Sequence, residues 1–362
     1  MTTSNLVTVV MPAYNGAQYI TQAIKSVIAQ THSAWELIVI DDGSTDNTAQ
    51  RVTAFQDTRI RYIYQENRGQ AAALNRGLEL SHGKYITTLD TDDWYTPKSL
   101  ADRVHFLGQH PEFGAVYGDG YYCDVAGRVL LRFSEHRIGN VYGDVYDILI
   151  STPFFGTGAN VMVRREVFET HSIRYDESIV WCQDYDIYIR IAEKAAFGLI
   201  ETATLWYRMH DTNMSTVMPM GRRLDSFIRT KLKVLASPRF PEVIPPLKFK
   251  FFFQLLTVDL QGRIEDQATI FENHHFQTLP EHQQSRLLRL VANDYLLVGS
   301  NIDIARTWLR KAGSLNPFDP KTLLAIVLGH LHPSVTRSLV RWWRLNTQQK
   351  KYPSPFEMVK GA

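Results

Sequence analysis

From residue 6 to residue 89 the chain alternates short apolar runs with helical stripes, and this alternation limits the fold more than any other feature. "LVTVVMPAY" (6–14) is an apolar, β-branched run closed by Pro12, as a buried strand would be. Tyr19, Ile20, Ala23, Ile24, Val27 and Ile28 then share one helical stripe. "WELIVIDDGS" (35–44) gives a second buried strand that stops at Asp-Asp-Gly. "TDNTAQRVTAF" reads as a helix, "RIRYIY" as a strand, "GQAAALNRGLEL" as a helix and "KYITTLD" as a strand. Buried strands joined by helices pair in parallel, with helices on both faces of the sheet. The expectation is an α/β, Rossmann-like, mostly parallel sheet. Ligands of such sheets bind at the carboxyl ends of the strands, which places Tyr14, Asp42 and Asp92/Asp93 along one edge.

Beyond Asp93 the pattern loosens. "AVYGDGYYCDVAGRVLLRF" suits a hairpin around Ala126-Gly127, and "STPFFGTGANVMVRREVF" is glycine-rich ahead of a strand and a helix. "DYDIYIRIAEKAA" repeats Ile187, Ile191 and Ala195 at helical spacing, and the strand-rich part closes near "LWYRMHDTNMS". From residue 221 the segments are helical in period, and "IARTWLRKAGSLNPFDPKTLLAIVL" (304–328) suits two short packed helices, too little for a repeat array. The expected domains are therefore 1–220 and 221–362, and a length of 362 residues fits two.

Charge and cysteine content narrow the function classes. A formal net charge of +2 gives no footprint for nucleic acid. Two cysteines, Cys123 and Cys182, form neither a metal ligand set nor a disulfide framework, so a reducing compartment, the cytoplasm, is expected. The N-terminal "MTTSNLVTVVMPAYNG" has no basic region and does not read as a signal peptide. No apolar run approaches the roughly 18 residues of a membrane span. The C-terminal stretch "SVTRSLVRWWRLNTQQKKY" combines Arg337, Arg341, Trp342, Trp343, Arg344, Lys350 and Lys351, which suits peripheral contact with a membrane's inner face or a basic helix packed on its own domain.

The densest charge lies in "LDTDDWY" (89–95), where Asp90, Asp92 and Asp93 crowd the end of a strand. Neighbouring carboxylates repel unless a cation or proton is shared. A calcium loop is excluded because Trp94 and Tyr95 stand where it needs small ligands and Gly. The alternatives are a solvated turn and a hard divalent cation held by one or two carboxylates plus phosphate oxygens. In "VIDDGSTDNT", Asp42 and Ser44 could cap the next helix, or Asp42 could accept a nucleobase N–H. In "VVMPAYNG", Pro12 and Asn15 suit a turn, and Tyr14 is either core or a stacking platform.

These segments, with "ENRGQAAALNRGLELSHGKYITTLDTDDWYTP", "GANVMVRREVF", "CQDYDIYIRIA" and "LWYRMHDTNMS", resemble the family 2 glycosyltransferases, inverting enzymes on a GT-A type nucleotide-diphospho-sugar fold. The resemblance covers roughly residues 5–220. It implies a nucleotide-sugar donor, a glycan or lipid-linked acceptor, and Mn²⁺ or Mg²⁺. It assigns Pro12, Ala13, Tyr14, Asn15, Asp42 and Asp90 to the donor, with Tyr14 and Asp42 on the base. Asp92 falls to the ribose and metal, Asp93 to the cation and Asp184 to the general base. Gln183 stands where an acid is usual, on the acceptor side with Gly156 and Gly158. His210 matches a position near the metal or diphosphate in some relatives, though a lone His after a strand is more often a structural hydrogen-bonding residue. Arg68 and Arg76 could reach phosphate oxygens or lie on a solvated surface. Uracil N3–H suits Asp42, and thymine offers the same donor. The rival reading is a non-catalytic sugar-nucleotide-binding scaffold whose helical C-terminal part recruits partners.

Overall fold

The computed structural model describes residues 5–135, 137 and 139–330, so the basic and aromatic stretch 334–352 lies outside the described residues. The chain divides into two compact units between Ser226 and Phe227.

The first unit opens with the alternation the sequence announces. Its elements are β1 (Val7–Ala13), α1 (Ile20–Ile28), β2 (Trp35–Asp42), α2 (Thr48–Thr53), β3 (Ile60–Gln65), α3 (Gln70–Leu80) and β4 (Tyr85–Thr88). There follow β5 (Trp94–Tyr95), α4 (Ser99–Gln109), β6 (Phe113–Cys123), β7 (Val129–Arg132), α5 (Tyr146–Leu149), β8 (Val161–Arg164), α6 (Arg165–Thr170), α7 (Gln183–Ala192) and β9 (Ala196–Arg208). One sheet runs β3-β2-β1-β4-β8-β6-β9-β5, with β7 paired to β6. The four strands at the β3 end are parallel. The other half is mixed: β8 is antiparallel to β4 and β6, β5 to β9 and β7 to β6, while β6 and β9 run parallel.

Every residue of β1 is buried, as expected of an interior strand covered on both faces. Ile20, Ala23, Ile24 and Val27 are the buried face of α1. On α3, Gly77 lies against β1 so closely that a Cβ there would meet Val10 Cγ1 at 2.2 Å. The anticipated hairpin is β6–β7, where Asp124 Oδ1 accepts from Ala126 N and Arg128 N and Gly127 takes φ +80°.

The second unit is helical among its described residues. After α8 (Met214–Val217) of the first unit, it begins within α9 (Met220–Ala236) and continues with α10 (Pro245–Gln254), α11 (Ile264–Phe271), α12 (His274–Gln277), α13 (Glu281–Val298), α14 (Ile302–Leu315) and α15 (Pro320–Gly329). Phe240, Phe251, Phe252, Phe271 and Phe276 fill its core. Lys231 and Asp259 form a buried ion pair at 2.5 Å. Among the described residues no helix is long and apolar enough to cross a membrane.

Candidate active site

The acid turn lies where the chain leaves β4, in the middle of the sheet, for β5 at its far edge. Its three carboxylates face different surroundings. Asp90 Oδ1 accepts from Gln70 Nε2 at 2.9 Å. Burial, then the charges of Asp92 and Asp184, push the Asp90 carboxyl up to about 7 against that hydrogen bond. Asp92 is partly exposed, and its Oδ2 lies 3.0 Å from His210 Nε2 and 3.2 Å from Asn213 Nδ2. His210 Nδ1 lies 2.8 Å from Thr212 Oγ1, and its ring packs 5.1 Å from that of Tyr19. Asp93 is only 1% exposed: Oδ1 accepts from Arg208 N at 3.0 Å, and Oδ2 is buried without a hydrogen-bond partner. Burial, then the charges of Asp92 and Asp90, hold it well above the usual carboxylate range, opposed by the backbone N–H and guanidinium of Arg208.

Among the described residues no three His, Cys, Asp or Glu side chains assemble into a group that could hold a metal ion. A hard cation that also takes phosphate oxygens needs only one or two protein ligands. Asp92 and His210 supply a carboxylate oxygen and an imidazole nitrogen at one point, and the orphaned Oδ2 of Asp93 adds an unmet acceptor in the same turn. This donor set fits a divalent cation, with Asp92 and His210 better placed than Asp93 to reach it.

Two loops at the carboxyl ends of β1 and β2 are stitched together. Asn15 has φ +50°, and its Oδ1 accepts from Thr45 N at 2.8 Å while its own N–H donates to Ser44 Oγ at 2.9 Å. Gly16 N donates to Thr48 Oγ1 and Ala17 N to Asp46 Oδ2. Pro12 and Ala13 are buried at the strand end, and Tyr14 stands 56% exposed beside them, a free ring rather than core. Asp41 ties its own loop, accepting from Ser44 N and Tyr62 Oη. Asp42 does something the sequence did not reveal. Its Oδ1 accepts from Gln65 Nε2 (2.7 Å) and Arg68 N (2.9 Å), and its Oδ2 from Gly69 N (2.7 Å). It therefore anchors the entry to α3, not to α2, with one lone pair left for a ligand donor.

Asp184 occupies the first turn of α7, after Cys182, whose φ of 54° is left-handed. Its Oδ1 accepts from Tyr185 N at 2.8 Å. Burial raises its pKa, opposed by backbone hydrogen bonds from Tyr185 and Gly158. Gly158 is required here: a Cβ would sit 2.8 Å from Asp184 Cβ and 3.1 Å from Oδ2. At Gly156, φ +81°, the corresponding space is taken by Phe133 at 2.6 Å. Both glycines thus admit side chains of the fold itself.

Gln183 is buried and donates from Nε2 to Gln70 Oε1 at 2.6 Å, so an unbroken amide chain joins it through Gln70 to Asp90. Asn75, also on α3, holds Tyr175 at both backbone groups, and Arg68 pairs with Glu177 at 2.9 Å. One helix therefore ties the approach to α7 to the parallel strands. Arg76 pairs with Glu79 on the exposed side of α3. Gln70, Asn75 and Arg208 carry the site's geometry yet escaped sequence reasoning, because amides and an arginine announce nothing until their partners are known. Asp46 had a local signal, since it follows Asp41 and Asp42 in one acidic loop.

The architecture agrees with known proteins. Glycosyl transferase family 2 matches residues 8–172. A putative colanic acid biosynthesis glycosyl transferase, WcaA of Escherichia coli, is 30% identical over 223 residues, covering 56% of this chain and 72% of WcaA. An uncharacterized glycosyltransferase of Rickettsia conorii is 30% identical over 207 residues, 57% of this chain, and the match spans 34% of that longer relative. The crystal structure of S. aureus TarS 1-349 in complex with UDP-GlcNAc superposes with a TM-score of 0.60 at 16% identity, over 96% of this chain and 93% of TarS 1-349, a likeness of fold. By its relationship to WcaA, and by the match that spans the strands carrying the acid turn, this chain belongs to glycosyl transferase family 2.

Proposed function

We propose that the chain is a metal-dependent inverting glycosyltransferase that moves a sugar from a nucleotide-diphospho-sugar, most simply a UDP-sugar, to a hydroxyl of a glycan or lipid-linked acceptor. The observation that carries this reading is the convergence of a partly exposed carboxylate of raised pKa, Asp184, with the acid turn, to which Gln183 and Gln70 join it. The WcaA name refers to colanic acid biosynthesis and the TarS complex holds UDP-GlcNAc, which supports an envelope polysaccharide acceptor and a uridine donor.

Tyr14 offers an exposed ring for the base to stack on, and Asp42 its remaining lone pair for an N–H of the base. Mn²⁺ or Mg²⁺, held by Asp92 and His210 with Asp93 behind them, would neutralise charge on the departing diphosphate. Asp184 takes the proton of the acceptor hydroxyl as that oxygen bonds to the anomeric carbon. The bond from that carbon to the diphosphate oxygen breaks on the opposite face, and its electron pair leaves with the nucleotide. A carboxylate of raised pKa is a stronger base, and such a placed base contributes typically ~10²–10⁴-fold. The cysteines form no disulfide, consistent with work in the cytoplasm.

The test is release of UDP from a panel of UDP-sugars with and without Mn²⁺. Slow hydrolysis that an acceptor accelerates supports a transferase. Tight UDP binding with no turnover under any condition would leave a binding scaffold as the better account.

A further inference from the structure

Three carboxylates gathered in four residues repel one another, and the fold sets one fixed positive charge behind them. Arg208, the last residue of β9, is 4% exposed and lies directly behind the acid turn. Its guanidinium makes no ion pair among the described residues; neutral acceptors take its N–H groups. Nε donates to the Asp92 carbonyl at 3.1 Å, Nη1 to the Val125 carbonyl at 2.8 Å and Nη2 to Gln22 Oε1 at 2.6 Å. Its Cζ lies over two rings, 4.6 Å from the centroid of Tyr19 and 4.5 Å from that of Trp94. Trp94 is itself stacked on Trp206 at 5.5 Å and 7°, and Trp206 packs on Tyr121 at 4.6 Å. The backbone of the same residue donates to Asp93 Oδ1.

The fixed fork of a guanidinium suits this task, since it hydrogen-bonds in its plane while its face meets aromatic rings. Gln22 belongs to α1, Val125 to the β6–β7 turn and Asp92 to the acid turn, so one side chain locks three segments that are distant in sequence. The grip on Asp92 is through its backbone, which leaves its carboxylate turned to His210.

We propose that Arg208 is a positioning residue, a resident cation that fixes the backbone of Asp92 and so presents the Asp92 carboxylate with His210 as a preformed site for a divalent cation. The inference rests on the assignment of Asp92 and His210 to the cation. Arg208 touches neither nucleotide nor reacting atoms in this role; it acts through the turn.

The experiment is calorimetric titration of full-length wild type, Arg208→Met and Arg208→Lys with UDP, in chelator and across a Mn²⁺ series, with melting temperatures recorded in parallel. In Arg208→Met the Mn²⁺ concentration that gives half of the metal-dependent gain in UDP affinity should rise about 10–100-fold, as for loss of an outer-shell support. Its UDP affinity in chelator should stay near wild type. Arg208→Lys keeps the charge but not the fork, and should recover only part of the loss. A merely structural role would lower melting temperature while leaving the Mn²⁺ midpoint in place. A wild-type midpoint in a folded Arg208→Met overturns the inference. Should that variant fail to fold, Gln22→Met removes one acceptor of the guanidinium; a shift in the same direction supports the proposal, and an unshifted midpoint overturns it. A wild-type chain whose UDP affinity ignores Mn²⁺ overturns the cation assignment itself and this inference with it.

Discussion

The parallel and mixed halves of the sheet are held together by different physics. In the parallel half, β1 is apolar apart from Thr8 and β2 runs apolar from Leu37 to Ile40, and their backbone pairing has no break in register. Area removed from water does most of the work there, at about 25 cal/mol per Å². In the mixed half, β6 shifts register against β9 at three places, which leaves backbone groups without ladder partners. Buried polar side chains meet them. Asn160 Nδ2 donates to the carbonyls of Gly118 and Phe155, and its Oδ1 accepts from Thr204 Oγ1 and Gly118 N. Asp119 Oδ1 accepts from Gly120 N, and Thr204 Oγ1 donates to the Asp119 carbonyl. A regular ladder can rely on apolar packing alone, whereas an irregular one needs specific polar partners. The acid turn lies where the chain passes from β4 of the parallel half to β5 of the mixed half.

The sharpest division between the halves should appear in activity. Asp184→Asn keeps an acceptor for Tyr185 N but cannot take a proton, so acceptor-dependent transfer should fall ~10²–10⁴-fold. UDP affinity, read by calorimetry, should hardly move, because none of the proposed nucleotide contacts, Tyr14, Asp42 and the Asp92–His210 pair, involves the Asp184 carboxylate. Loss of UDP binding together with transfer would erase the division of labour.

Stability tests the physics of each half. Leu37→Ala, at a wholly buried position on β2, should cost about 2–5 kcal/mol in urea denaturation. Asn160→Ala should cost less, about 1–3 kcal/mol, from orphaned backbone partners rather than lost apolar area. If Asn160→Ala proved the costlier, the polar network would be the main support of the fold.

Asp42→Asn probes the junction. On a capping view Asn is as good as Asp. Here both oxygens already accept from N–H groups, so the amide nitrogen must face one of them. A loss of about 1–3 kcal/mol is expected, together with weaker UDP binding. An unchanged melting curve would mean that the α3 entry does not depend on this carboxylate.

The smallest effect concerns pH. Burial raises the Asp184 pKa, so the folded chain holds a proton there that the unfolded chain releases near pH 3.9. The native state binds more protons across that window, and this group's contribution to stability falls as pH rises through it. The acid limb of the transfer profile should lie above the ordinary carboxylate range for the same reason. Asp184→Asn should remove its share of the stability slope; an identical slope in both chains would return Asp184 to an ordinary solvated carboxylate.

Sequence alone determined the parallel half and the strand ends that carry the candidate residues, because those features are local. Burial on both faces writes itself as β-branched runs, helix faces repeat every three or four residues, and strand ends carry Tyr14, Asp42 and the acid turn in plain view. The helical second unit was legible for the same reason. Tertiary structure decided what no periodicity encodes: which carboxylate faces inward, which helix Asp42 anchors, and which side chain fills the space at Gly158. It alone brought Gln70 to Gln183 across 113 positions and Arg208 to Asp92 across 116. Such pairings depend on how strands order themselves in the sheet, and that order is set by packing of the whole unit rather than by any segment's own preference.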